Sequence, residues 1–167
     1  VRSGHVFTGG VFTGVTGAAI DASTSNTPSV ITIDSVDIDG GTDGVSAATS
    51  GTGSIALTIT GSTIDGTTRG IVLDSGSSME VTLSDNTVGG TTPPTGHELV
   101  GVTNLATNSL CIDPSVANDF SAGTANLTAA ASSSLVVVGT DEAAVETANS
   151  VAITATGTVT YSSGGCP

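Results

Sequence analysis

Lysine is absent from this chain, and Arg2 and Arg69 are its only strong bases. Set against 15 acids, they leave a formal net charge of −13. Phosphate backbones are gripped by clustered Lys and Arg, so nucleic acid is excluded as a partner. An anionic membrane surface is disfavoured for the same reason. Tryptophan is also missing, and the 167 residues include one Tyr and three Phe. The core must therefore come from many small and β-branched side chains in thin layers, which favours strands and tight turns over helices. One domain with a real core fits this length, two ordinary ones do not. No apolar run approaches the roughly 18 residues of a membrane span, Leu135 to Val138 being far too short, so no membrane insertion is expected.

Cysteine is nearly absent too: Cys111 and Cys166 are the only ones. A metal site would need more Cys or His at close spacing, and neither His5 nor His97 lies near a Cys in sequence. A Cys111–Cys166 disulfide clamping the C-terminus suits a secreted composition, and two unpaired thiols in a reducing compartment are the alternative. The chain begins at Val1 with no signal-peptide pattern and reads as a processed mature chain or a fragment of something longer. An acidic surface rich in Ser and Thr suits extracellular, cation-rich or glycan-rich surroundings, and a halophilic origin accounts for it equally.

What the chain has in abundance is a repeat. Pairs of apolar residues five apart recur as Phe7/Phe12, Ile33/Ile38, Ile59/Ile64, Leu83/Val88 and Leu105/Leu110, with steps of 26, 26, 24 and 22 residues. A period in the twenties predicts a coiled solenoid. Within each repeat apolar and polar residues alternate over a short strand, as in Ile31–Ile33, Leu57–Ile59 and Val81–Leu83. A second short strand follows the glycines, with Gly17, Gly44 and Gly70 aligned at its start.

These apolar stacks resemble the right-handed parallel β-helix family, the solenoid of pectate lyases, autotransporter passengers, phage tailspikes and many bacterial surface proteins. The resemblance covers roughly residues 5–110. Asn86 and Asn108 hold the position where such helices place an asparagine ladder, while Gly10, Val36 and Ser62 occupy it in the other coils. The implied fold is an all-β, right-handed parallel β-helix of about five coils over residues 1–110, with coils ~4.8 Å apart. Residues 111–167 are expected to form a C-terminal cap, because the repeat is lost there. The cap is predicted to hold a short helix over 140–146, N-capped by Thr140, and a long terminal strand over 151–161.

Candidate chemistry is sparse. The acids Asp34, Asp37, Asp39, Asp43 and Asp65 cluster in the repeat, with Asp39 stacked on Asp65. Two carboxylates ~5 Å apart repel by about 1 kcal/mol in water. A hard cation such as Ca²⁺ would reverse that cost, making Asp37, Asp39 and Asp65 the candidate metal ligands, against the alternative of solvated surface acids. No EF-hand or GGxGxDxUx calcium loop is present. Asp43 stacks on Arg69, which reads as a coil-to-coil ion pair or, in a lyase, as a substrate-clamping base. A glycoside hydrolase needs two carboxylates across a groove; Asp65, Asp74 and Glu80 supply acids but nothing in the sequence fixes a groove. His97 and Glu98 sit in a loop after Pro93-Pro94 with no partner for nucleophilic catalysis. Thr58 and Thr60 point outward as ice-binding pairs do, yet Thr32, Asp34, Thr82 and Ser84 above and below make no regular array. Asn126-Leu127-Thr128 is a glycosylation sequon.

The residues thus predict an extracellular or cell-surface structural or adhesive β-solenoid, not an enzyme, with no required cofactor. It would associate with itself head to tail, with other surface proteins or with glycans. The alternative is a carbohydrate-active module, either a polysaccharide lyase or a glycan-binding domain.

Overall fold

A computed structural model describes residues 3–65, 69–89, 109–114, 118–120, 124–128 and 134–165. The first coils contain β1 (Ser3–Thr13), β2 (Ala18–Thr24), β3 (Pro28–Asp39), β4 (Asp43–Thr49), β5 (Ser54–Thr60) and β6 (Thr63–Asp65). Then come β7 (Arg69–Ser75), β8 (Ser78–Ser84), β9 (Thr87–Val88), β10 (Ser109–Asp113) and β11 (Thr124–Thr128). Last are β12 (Ser134–Val138), α1 (Glu142–Asn149), β13 (Ala152–Thr156) and β14 (Val159–Ser162). All pairing is parallel: β1, β3, β5, β8, β10, β12 and β14 stack rung on rung, β6 and β9 continue β3, and β2-β4-β7 and β11-β13 form separate faces. The chain is an all-β parallel solenoid.

The register follows the apolar pairs through four coils. Phe7, Ile33, Ile59 and Leu83 are successive partners, as are Phe12, Ile38, Ile64 and Val88. Ile33, Ile38, Ile59, Ile64 and Leu83 are fully buried. An odd gap of five cannot join two inward residues by strict alternation, so one extra outward residue must intervene at a bend. Gly9, Ser35, Gly61 and Asp85 supply it, with φ of 59°, 56°, 56° and 54°. This left-handed backbone suits Gly and costs an L-residue about 1–2 kcal/mol. Ser35→Gly is therefore expected to raise the unfolding midpoint, since that gain exceeds the ~0.5–1 kcal/mol entropic penalty of glycine. Gly61→Ala should lower it, and urea denaturation of both variants checks the sign.

The fifth coil departs from expectation. Leu110 pairs with Met79 rather than Val88, and Leu105 lies outside the described residues. Below Val88 comes Phe120, buried and one residue beyond the Thr87–Asp119 bridge. On the β2-β4-β7 face Gly44 opposes Gly70 as aligned, but Ile20 opposes Val45, a shift of two residues from the Gly17–Gly44 alignment. A two-residue slip keeps the same side chains inward, so the apolar pattern does not distinguish the two registers.

The segment after residue 110 also differs from the expected cap. β10, β12 and β14 extend the same parallel stack, with Leu135 and Val137 buried in line with Leu110 and Ile112. The eleven-residue alternation over 151–161 is two strands, β13 and β14, divided at Gly157 with φ 84°. The helix starts one residue later than Thr140 would cap it: Asp141 is the N-cap and accepts from the Ala144 N–H at 2.8 Å. Carboxylates cap better because they meet the free N–H groups and the dipole together. Val145 anchors α1 in the core, and Tyr161 of β14 donates to Glu142 at 3.0 Å. Burial, then Glu142 and Glu146, push the Tyr161 hydroxyl well above the ordinary phenol range, so it stays a donor.

Candidate functional site

The interior carries a polar column at the bends. The residue after the left-handed corners at Gly61 and Asp85 points inward, as Ser62 and Asn86, and Asn118 and Asn149 continue the column, all four buried. Ser62 Oγ accepts from the Val36 N–H at 3.2 Å, and Asn86 Oδ1 accepts from the Ser62 N–H at 3.1 Å. Asn118 Oδ1 takes both the Asn86 N–H and the Asn86 Nδ2 at 3.1 and 3.0 Å. Asn149 Oδ1 takes the same pair from Asn118 at 3.2 and 2.8 Å. Asn149 Nδ2 ends the ladder on the Val145 carbonyl of α1 at 3.0 Å. The spacings are 26, 24, 32 and 31 residues. Sequence reasoning named Asn86 and Ser62 but missed Asn118 and Asn149, because longer coils break the period; Asn108 lies outside the described residues. A buried, mutually satisfied amide column fixes register and offers nothing to a ligand.

The predicted metal residues come together only in part. Asp39 and Asp65 are direct partners on β3 and β6, while Asp37 opposes Thr63. Asp37 and Asp39 are exposed and Asp65 half-buried. Among the described residues no group of three His, Cys, Asp or Glu is placed to hold a metal ion. A hard cation wants six or more oxygens, far more than two stacked carboxylates present.

Asp43 and Arg69 meet as the register predicts. Arg69 Nε and Nη2 reach Asp43 Oδ1 and Oδ2 at 2.7 and 3.0 Å, a two-point fork. Its side-chain exposure of 33% against 13% for Asp43 leaves the pair only partly shielded. Arg69→Ala is expected to cost up to about 1 kcal/mol at low salt and less at high salt. Denaturation midpoints at two ionic strengths test this. With its guanidinium committed to Asp43, Arg69 is poorly placed to act as a base.

The threonine columns stand as aligned, Thr32 on Thr58 on Thr82 and Asp34 on Thr60 on Ser84, with the Ser84 hydroxyl donating to Thr60 Oγ1 at 3.0 Å. Glu80 is exposed on β8, and Asp74 lies at the far end of β7 on another face. His97 and Glu98 lie outside the described residues. So does the expected Cys111–Cys166 disulfide, of which only the Cys111 backbone, in β10, is described. Asn126 lies on β11. No described helix is long and apolar enough to cross a membrane.

The feature sequence reasoning left without detail is the N-terminal rung. Val6, Val11 and Phe7 of β1 are 70%, 69% and 37% exposed. Phe7 and Phe12 cap the inner stacks, and β1 pairs only with β3 among the described residues. At the other end β14 pairs, among the described residues, only with β12. Both end rungs, SGHVFTGGVFT and VTYS, lack any acid in a chain of net charge −13. No protein-family model, curated protein or solved structure matches this chain.

Proposed function

We propose that the chain is an extracellular structural or adhesive β-solenoid without enzymatic activity, of the right-handed pectate-lyase-like type, whose ends join copies head to tail. The observation that carries this is the chemistry of the end rungs: both strands are acid-free, β1 exposes Val6 and Val11, and among the described residues each pairs along one parallel edge. An uncovered edge of this kind is a template for another strand. A β14-to-β1 contact would continue the parallel sheet, cover Val6 and Val11, and leave a further open end, which is the heterologous geometry of filaments. Repulsion between chains of high negative charge opposes the contact, so association should strengthen as salt screens it.

Sedimentation velocity and negative-stain microscopy across a salt series test the proposal. Filaments or oligomers are expected from the unaltered chain at high salt. A Val6→Glu/Val11→Glu double variant, changed only at outward positions, should stay monomeric with an unchanged melting curve. A monomer at every salt and protein concentration would defeat it.

A further inference from the structure

The register of the long stack relates the two end rungs to each other. His5 heads an inward column that passes through Ile31, Leu57, Val81, Ile112 and Val137 and ends on Tyr161. The aliphatic members are all buried. The two residues that end the column both carry titratable groups, and His5 is exposed while Tyr161 is half-buried. Behind Tyr161 stands α1, whose Glu142 accepts from its hydroxyl at 3.0 Å and whose Glu146 accepts from the Ile153 N–H at 2.7 Å. Burial, then these two acids, keep the phenol protonated.

The end-to-end contact proposed above, on which this inference rests, brings the two ends of that column together. A one-residue slip would turn inward side chains outward. A two-residue slip would move one rod about 7 Å sideways against the next and uncover the other inner stacks. The continuing register avoids both, and it sets Tyr161 of one copy one rung, ~4.8 Å, from His5 of the next. On its own side β3 sets Ile31 against His5, while the acids Asp34, Asp37 and Asp39 face Thr8, Val11 and Thr13. From the facing copy come the Tyr161 hydroxyl and, behind it, the carboxylates of Glu142 and Glu146. Imidazole changes charge between about pH 5 and 8, and nearby anions favour its protonated form. Burial opposes protonation, but Tyr161 and Glu146 are only half-buried and Glu142 is exposed, so water still reaches this end. The attraction therefore outweighs the desolvation.

We propose that the head-to-tail contact is a proton-gated joint, closed when His5 of one copy is protonated against Tyr161, Glu142 and Glu146 of its neighbour. Closing the joint binds a proton, so association tightens as pH falls through the imidazole range and loosens as it rises. The test is sedimentation velocity at fixed salt, stepped from about pH 8 to about pH 6, where Asp and Glu stay ionised. The unaltered chain is expected to associate about 3- to 5-fold more tightly at the lower pH, the scale of one partly exposed ion pair. His5→Gln should remove the step, and Glu142→Gln, which keeps an acceptor for Tyr161, should reduce it. Both variants should melt like the unaltered chain. His97→Gln is the comparison, because a general effect of net charge would fall equally in either histidine variant. Association that ignores pH, a step that survives His5→Gln, or a step lost equally from both histidine variants overturns the joint and leaves the end-to-end contact standing. A monomer under every condition overturns both.

Discussion

Ile59→Asp is expected to lower the melting midpoint by roughly 10–30 °C. Ile59 is 0% exposed and sits in register between Ile33 and Leu83. Removing its apolar side chain forfeits about 1.5–3 kcal/mol of burial. A carboxylate left there without a partner adds about 3–5 kcal/mol. A domain of this size holds about 5–15 kcal/mol in total, so losses of about 4.5–8 kcal/mol consume from about a third to all of it. The control is Ile59→Val, which deletes one methylene and should cost about 0.5–1.5 kcal/mol. Circular dichroism and thermal denaturation of both variants decide the matter. A near-normal melting curve for Ile59→Asp would mean that the inward register is wrong.

Asn118→Ala should be nearly as damaging, although it removes no charge and little volume. Its amide serves neighbours on both sides: Oδ1 accepts twice from Asn86, and Nδ2 donates to the Leu83 carbonyl at 3.2 Å and to Asn149 at 2.8 Å. The substitution strips the Asn86 N–H of its partner and removes a donor from the Leu83 carbonyl. At about 1–3 kcal/mol for each buried polar group left unmet, the cost reaches roughly 2–6 kcal/mol. Asn149→Ala, at the end of the ladder, should cost less, because its amide serves a ladder neighbour on one side only, Asn118 through Oδ1, with Nδ2 on the Val145 carbonyl of α1. Chemical denaturation that gave equal, small losses for both would show that the column is dispensable.

Where the solenoid was legible in the sequence, the signal was local and repeated. The four apolar pairs from Phe7/Phe12 to Leu83/Val88 share one spacing, since a coil of fixed length returns each residue to the same place in the stack. Leu110 shares that spacing with Leu105 but pairs with Met79, not Val88. Coil length is set by the loops, and a loop can lengthen at little entropic cost without disturbing the rung it feeds. Once the step grows from 24 to 32 residues, as between Asn86 and Asn118, periodicity points to the wrong partners. The same lengthening hid Asn118 and Asn149 and made the segment after residue 110 look like a cap, although β10, β12 and β14 carry the stack onward.

The candidate sites divide the same way. Asp39 over Asp65 and Asp43 over Arg69 followed from the coil spacing, because pairs directly above one another need only the period. The lower half of the amide column could not be read from the chain: Asn118 and Asn149 stand 32 and 31 residues from their partners, off the period. By itself the sequence determined the alternation, the odd five-residue gap and the charge balance, which are properties of neighbouring residues. Which rungs meet after residue 88, where the amide ladder ends, and that β1 and β14 each pair along one edge among the described residues came from the folded chain. Those outcomes depend on contacts between residues some thirty positions apart, and the length of an intervening loop leaves no local trace in the pattern of the strands it joins.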